Sequence, residues 1–239
     1  MNNKKGILLL GGRGSRLKNL SRITNKHLLP VGNKPMAQWN VEKLVDSGVE
    51  DILIITGKDH MGDIVSYFGS GSEFGCKFTY KVQEEAGGIA QALRLVEGFV
   101  TEDEFFWVIL GDNIFSFDLP DYRFTRAMQP DIKLFTKSVD DPERFGVLHE
   151  GVITEKPKNP KTNKAILGVY GYRYSENFKN ILWDLEKSDR GEVEVTDLNN
   201  KILSNSSLQS VSDVGGEYWS DAGTLDSYKK VNQWEWVWE

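Results

Sequence analysis

Short, almost wholly apolar runs alternate with amphipathic ones through the first half of the chain. Gly6–Leu10 (GILLL), Asp51–Thr56 (DILIIT) and Phe105–Leu110 (FFWVIL) are strand-sized, bounded by glycine or polar residues, and predict buried strands. Lys77–Val82 (KFTYKV) alternates apolar and polar positions and predicts another strand. Met36–Gly48 places Met36, Trp39, Val41, Leu44 and Val45 near a 3.6-residue period. With Pro35 at its start and Gly48 at its end, it predicts a helix. His60–Phe68 and Gly88–Phe99 predict two more helices. A β-α-β-α-β-α-β order predicts a parallel, doubly wound α/β sheet. Ligands of such sheets sit beyond the carboxyl ends of the strands.

After Pro130 the pattern shortens. Asp131–Val139 and the segments 145–157 and 165–174 predict short strands, and 176–187 and 197–203 predict helices. Segments 208–214 and 217–220 are strand-like again. Residues 224–239 predict a terminal amphipathic helix with Thr224 as N-cap. Trp234, Val237 and Trp238 fall at helical spacing there and read as a packing or oligomer face. No repeat or low-complexity linker interrupts the chain, so one domain over residues 1–239 is expected, with the second half a mixed extension of the first sheet.

Composition narrows the picture. With 39% hydrophobic and 27% charged residues, and seven Trp, eight Tyr and twelve Phe, the chain can bury a sizeable core. No apolar run approaches the ~20 residues of a membrane helix, and no signal peptide is recognisable, which predicts a cytoplasmic protein with no membrane partner. Cys76 is the only cysteine, and His27, His60 and His149 are far apart, so neither a disulfide nor a zinc spacing exists. A metal would have to be held by carboxylates. The net charge of −6 argues against nucleic acid as a partner.

That acidic balance makes one segment anomalous. The first acidic residue is Glu42, yet Lys4, Lys5, Arg13, Arg16, Lys18, Arg22, Lys26 and Lys34 all precede it. Within this stretch, GGRGSRL follows the first strand. Closely spaced glycines expose backbone N–H groups that can wrap phosphate oxygens, and Arg16, Lys26 and Arg13 can supply charge. The familiar phosphate loops do not fit: no Gly-Lys-Ser/Thr is present, and Leu17 stands where a dinucleotide fingerprint needs its third glycine. A tight turn with a solvated basic face is the plain alternative, but forty-one residues without an acid favour anion binding. Asp112, at a strand end in LGDN, and Asp221, in YWSDAGT, are candidate Mg2+ ligands. Taken singly, TEKP and RGEVEVTD read as a turn and a helix start.

Together, GGRGSRL, NKHLLPVGNKPM, GGIAQA, LGDN, DPERFGV, TEKP, RGEVEVTD and WSDAGT resemble, in order and spacing, the glucose-1-phosphate thymidylyltransferases, from Gly6 to about Tyr228. The resemblance implies a Rossmann-like mixed, mostly parallel sheet flanked by helices, with a small sugar-binding lobe. It implies a nucleotide-binding half over 1–130, a sugar-binding part over 131–223 and a C-terminal helix over 224–239. It implies transfer of a nucleotidyl group from dTTP to glucose 1-phosphate with Mg2+ as cofactor, in a homo-oligomer. Arg16, Lys26, Asp112, Lys156 and Asp221 would be catalytic, with Asp112 and Asp221 holding the metal. Leu10, Gly11, Gly12, Gly14, Ser15, Arg16, Lys26, His27, Gln83, Gly88 and Asp112 would bind the nucleotide. Asn113, Gly146, Glu155, Lys156, Ile166, Tyr170 and Arg190 would bind the sugar phosphate. Three alternatives stand beside it: the same chemistry with UTP, CTP or another hexose 1-phosphate, a sugar-nucleotide sensor without catalysis, and a nicotinamide-dependent oxidoreductase, which the missing third glycine disfavours.

Overall fold

A computed structural model describes residues 4–12, 14–22, 24–120 and 129–234. The chain divides into two compact units. One comprises Met1–Ala86, Val108–Asp121 and Tyr218–Glu239; the other comprises Gly87–Trp107 and Tyr122–Glu217.

In the first unit, β1 (Lys5–Leu10) is buried from Gly6 onward, as its unbroken apolar run requires. Two short strands, β2 (Pro30–Val31) and β3 (Lys34–Pro35), form a small antiparallel hairpin and lead into α1 (Met36–Asp46). Helix α1 starts directly after Pro35 and buries Met36, Ala37, Asn40, Val41 and Leu44 along one face. Strand β4 (Asp51–Gly57), helix α2 (Met61–Phe68) and strand β5 (Lys77–Gln83) follow. β1 pairs in parallel with β4, and β4 with β5.

The chain then enters the second unit through α3 (Ile89–Leu93). Strand β6 (Phe105–Leu110) begins there and ends in the first unit, where it lies next to β1. β7 (Ile114–Phe115) also belongs to the first unit. The second unit resumes with β8 (Ile132–Ser138), β9 (Gly146–His149), β10 (Val152–Glu155), β11 (Lys164–Arg173), α4 (Glu176–Trp183), α5 (Val195–Asn205) and β12 (Gln209–Asp213). Here β8 and β9 pair antiparallel with β11, and β10 with β9, whereas β12 runs parallel to β8. Phe106, Tyr172 and Phe178 are fully or almost fully buried and form an aromatic cluster with Tyr174.

The chain returns to the first unit with β13 (Trp219–Ser220), which pairs antiparallel with β7, and α6 (Leu225–Val231). Thr224 is the N-cap, in a reciprocal capping box with Ser227. Val31, Met36, Ile114, Ala222 and Val231 pack as one core cluster.

The expected mixed α/β sheet with flanking helices is present. The second unit supplies the mixed part: its strands are largely antiparallel, because hairpin-length connections such as the one from β9 to β10 cannot return a strand in parallel. Two helices differ from expectation. The helix over 88–99 shrinks to α3 and a 3-10 turn at Arg94–Val96, where Arg94 donates to the carbonyls of Leu182 and Leu185. Helix α6 stops at Val231. Asn232 spends its side chain on Gly32 N and Tyr228 O, and Trp234 leaves the helix to lie against Tyr218, with ring centroids 3.8 Å apart. Val237 and Trp238 lie outside the described residues.

Candidate active site

The expected chemistry concentrates in two groups of residues, one in each unit. The first begins where β1 ends. Gly14 has φ +63, and a Cβ there would lie 2.8 Å from Ser21 Cβ and 3.0 Å from Lys26 Cβ, so only glycine fits. The chain then coils into a 3-10 helix, Ser15–Arg22, that the sequence did not predict. Its anchor is the fully buried Leu17, whose N–H donates to Gly14 O. Leu17 is the residue that breaks the dinucleotide fingerprint; here it fixes the loop to the core instead. Arg16 is exposed. Arg13 and the Ser15 side chain lie outside the described residues.

Lys26 sits on a single 3-10 turn, Lys26–Leu28, capped by Asn25. Asn25 is buried; its Oδ1 accepts from His27 N at 2.9 Å and faces His27 Nδ1 at 2.8 Å, and its Nδ2 donates to Leu10 O. This three-way grip points Lys26 Nζ at Asp112, to which it donates at 2.6 Å. Asp112 follows β6 and is steadied by Asn113, whose Nδ2 donates to Asp112 Oδ1 and whose Oδ1 accepts from Trp219 Nε1. Burial alone would push the Asp112 carboxyl upward, but the adjoining Lys26 ammonium outweighs it and brings the pKa to about 2. Asp112 is therefore ionised at neutral pH.

His27 is buried, which together with the nearby Lys26 charge lowers its pKa to about 3, so the ring is neutral at pH 7. The ring packs against Gly111, where a Cβ would come within 2.7 Å of its Cδ2. His27, expected among the nucleotide-binding residues, is the buried member of the Lys26–Leu28 turn. Asn113, expected at the sugar phosphate, is likewise buried and braces Asp112.

A cavity of about 580 Å³ opens at the carboxyl ends of β1, β4 and β5. Leu10, Gly12, Lys26 and Gln83 line it, as expected of nucleotide-side residues, and Gly11 borders Gln83. Its wall also includes Ser21, Thr24, Asn25, Gly57–His60, Glu84 and Glu85, which sequence reasoning missed. Only Asn25 carried a usable signal, as a capping residue type ahead of a turn. The backbone of Asp221–Gly223 is brought to Asp112 by the pairing of β13 with β7: a Cβ on Gly223 would lie 2.9 Å from Asp112 Oδ2 and 3.1 Å from Asp221 O. Among the described residues, no three or more His, Cys, Asp or Glu side chains group as metal ligands. One ionised, half-buried carboxylate with a second aspartate nearby in the fold suits Mg2+, which completes its octahedron with phosphate oxygens and water.

The second group forms around Glu155, the last residue of β10. Its Oε1 contacts Lys156 Nζ at 3.2 Å and Arg190 Nη1 at 3.1 Å, and its Oε2 accepts from Thr196 Oγ1 at 2.6 Å. Arg190 also reaches Glu194 at 3.3 Å and Glu192 at 3.6 Å. Lys156 has φ +42 immediately before a proline, a strained conformation of the kind that persists where structure over-determines it. Gly146 pairs with Glu155 across β9 and β10, and leaves room against Thr196 Oγ1. Thus Gly146, Glu155, Lys156 and Arg190 come together. Ile166 and Tyr170 lie on β11, both buried, on either side of a register shift against β8. Gly88 lies elsewhere in this unit, ahead of α3 and pressed against the Val193 backbone, where a Cβ would meet Val193 O at 2.4 Å.

A glycine turn at a strand end, a lysine–aspartate pair beside it and a cluster that sets a strained lysine near an arginine suit an enzyme that handles phosphate esters. The chain belongs to the nucleotidyl transferase family, whose family model matches residues 5–235. It is 38% identical to the glucose-1-phosphate thymidylyltransferase of Neisseria meningitidis serogroup A / serotype 4A over 233 residues, which cover 93% of this chain and 79% of that one. A Bacillus anthracis protein, provisionally described as a glucose-1-phosphate thymidylyltransferase and crystallised with sucrose, is 47% identical and superposes with a TM-score of 0.87 over 96% of this chain and 94% of its own. A UDP-glucose pyrophosphorylase bound to UDP-glucose, 22% identical, has a TM-score of 0.79 over 97% of this chain and 98% of its own, and shares the fold. The motif resemblance is thereby borne out, and the chain is a nucleotidyltransferase. Among the described residues no helix is long and apolar enough to cross a membrane.

Proposed function

We propose that this enzyme joins dTTP to glucose 1-phosphate, giving dTDP-glucose and pyrophosphate, the opening step of dTDP-sugar synthesis of the rhamnose type. The observation that carries the reading is the Lys26–Asp112 pair, set between the glycine turn and the end of β6. An oxygen of the sugar phosphate attacks the α-phosphorus of dTTP in line with the α–β bridging oxygen; the new P–O bond forms as the old one breaks, and pyrophosphate departs. No protein nucleophile is required. The obstacle is repulsion between two anions. Arg16 and Lys26 hold the triphosphate, and Lys156 and Arg190 hold the sugar phosphate after exchanging their contacts with Glu155 for it. Preorganised cations of this kind stabilise the charge that develops in the transition state. Asp112 and Asp221 would hold Mg2+, which supplies further neutralisation of phosphate charge. Gln83 at the cavity wall serves the base, and Gly146, Glu155, Ile166 and Tyr170 the hexose. His27 and Asn113 act from beneath, by fixing Lys26 and Asp112. We place the enzyme in a homo-oligomer, in keeping with the exposed Trp234 at its aromatic C-terminal segment.

The test is pyrophosphate release with Mg2+, glucose 1-phosphate and each of dTTP, UTP, CTP, ATP and GTP, with Asp112→Asn alongside. Release is expected to favour dTTP and to fall by about 10²–10³-fold in the variant. Equal turnover of dTTP and UTP would defeat the narrow specificity. Nucleotide binding by folded protein without any release would leave the sensor reading.

A further inference from the structure

The group around Arg190 has an electrostatic problem. It sets three carboxylates, Glu155, Glu192 and Glu194, against two cations, Lys156 and Arg190. Seen from a distance it is net negative, whereas the ligand proposed for it is a phosphate monoester dianion. Its cations can grip a phosphate only once it has arrived; they cannot attract one.

The segment that follows Lys156 corrects this. From Lys156 to Ser175 there is no acidic residue, and Lys156, Lys158, Lys161 and Lys164 fall within nine positions. Lys164 reaches Asp213 at 3.4 Å, and Lys156 reaches Glu155. Lys158 and Lys161 are exposed and make no ion pair among the described residues. Their two charges offset the carboxylate excess of that five-residue group and put positive charge on its approach.

The loop is also built to keep those charges in place. Lys156 N donates to Phe145 O at one end. At the other, Thr162 Oγ1 donates to Leu148 O at 2.7 Å, and Val139 N donates to Asn163 O. Pro157 and Pro160 fix two of the intervening φ angles. The loop joins β10 to β11, and both strands flank β9, through Glu155↔Gly146 and Ala165↔Val147. Its ends are thus about two strand spacings, ~10 Å, apart. Lys158 and Lys161 therefore stay within one to two Debye lengths, each about 8 Å at physiological ionic strength, of Lys156.

We propose that Lys158 and Lys161 form an electrostatic guide that draws hexose 1-phosphate toward the Lys156–Arg190 group without touching it in the bound state. The proposal rests on the function given above. Neutralising both lysines removes long-range attraction for a dianion and leaves every short-range contact intact. The experiment compares wild type with the double variants Lys158→Gln/Lys161→Gln and Lys158→Glu/Lys161→Glu. It measures kcat and kcat/KM for glucose 1-phosphate at saturating dTTP and Mg2+, across ionic strength. At low ionic strength the Gln pair is expected to lower kcat/KM by about 3–10-fold, and the Glu pair by more, with kcat unchanged. Near 1 M salt, where the Debye length is about 3 Å, all three proteins should converge. Equal kcat/KM at low salt overturns the guide, as does a loss that persists undiminished at high salt or that falls on kcat. Wild-type protein that releases no pyrophosphate overturns the function itself and the guide with it, which separates the two failures.

Discussion

At the scale of single residues, His27 has the most direct thermodynamic consequence. Its folded pKa, about 3, lies below the ordinary value of 6.5. As pH falls below about 6.5 the unfolded chain takes up a proton that the folded protein refuses. Stability is therefore complete above that pH and declines as pH drops toward 3, by up to about 1.4 kcal/mol per pH unit. Urea unfolding of the metal-free protein at pH 7, 6 and 5 should show this slope, and His27→Gln should flatten it; an unchanged slope in the variant would refute the assignment. The Asp112 contribution belongs to a lower window, since its carboxyl stays ionised until pH nears 2. Lys26 and Asp112 stood out in the sequence because a cation in an acid-free stretch and a carboxylate at a strand end interrupt the apolar pattern, whereas Lys156 and Arg190 were singled out only through the family resemblance. The bracing roles of His27 and Asn113 were not legible. Their long-range neighbours, Leu10 and Gly111 for His27 and Trp219 for Asn113, are distant in sequence and meet them only in the folded chain.

At the scale of elements, helix α6 follows directly on the Asp221–Gly223 segment that lies against Asp112. Its capping box joins Thr224 Oγ1 to Ser227 N at 3.1 Å and Ser227 Oγ to Thr224 N at 3.1 Å. Thr224→Ala should cost about 1 kcal/mol of stability by chemical denaturation, the usual loss for a removed N-cap. A variant as stable as wild type would mean that packing of Val231 and Tyr228, rather than the cap, sets the start of the helix. The strands β1, β4, β5 and β6 and helix α1 lie close to where hydrophobic period placed them, because long periodic runs carry their own signal. The 3-10 helix Ser15–Arg22 escaped notice, since a glycine-rich polar run has no such period and its one anchor is Leu17. The two-residue strand β7 is too short to leave a pattern, although its pairing with β13, which falls in the strand-like segment 217–220, brings Asp221 back toward Asp112.

At the scale of the whole molecule, the Mg2+ proposed for Asp112 and Asp221 is expected to arrive with the nucleotide, since this ion is commonly held by one or two carboxylates together with substrate phosphates. Chelation with EDTA should abolish turnover while leaving the thermal midpoint of nucleotide-free protein unchanged; a lowered midpoint would reveal a structural metal instead. The ion pair between Lys26 and Asp112 gives this a further meaning. Without ligands, each of these charges is already spent on the other, at 2.6 Å. A triphosphate alone would draw Lys26 away and strand a half-buried carboxylate, and a dication alone would engage Asp112 and strand the half-buried lysine; either orphaned charge is costly. When both arrive, neither is left without a counter-ion. By reciprocity, each ligand would raise the affinity for the other by the same factor. If Lys26 and Asp112 serve as proposed, their pair would act as a coincidence detector, answering weakly to nucleotide or metal singly and fully only when the two come together.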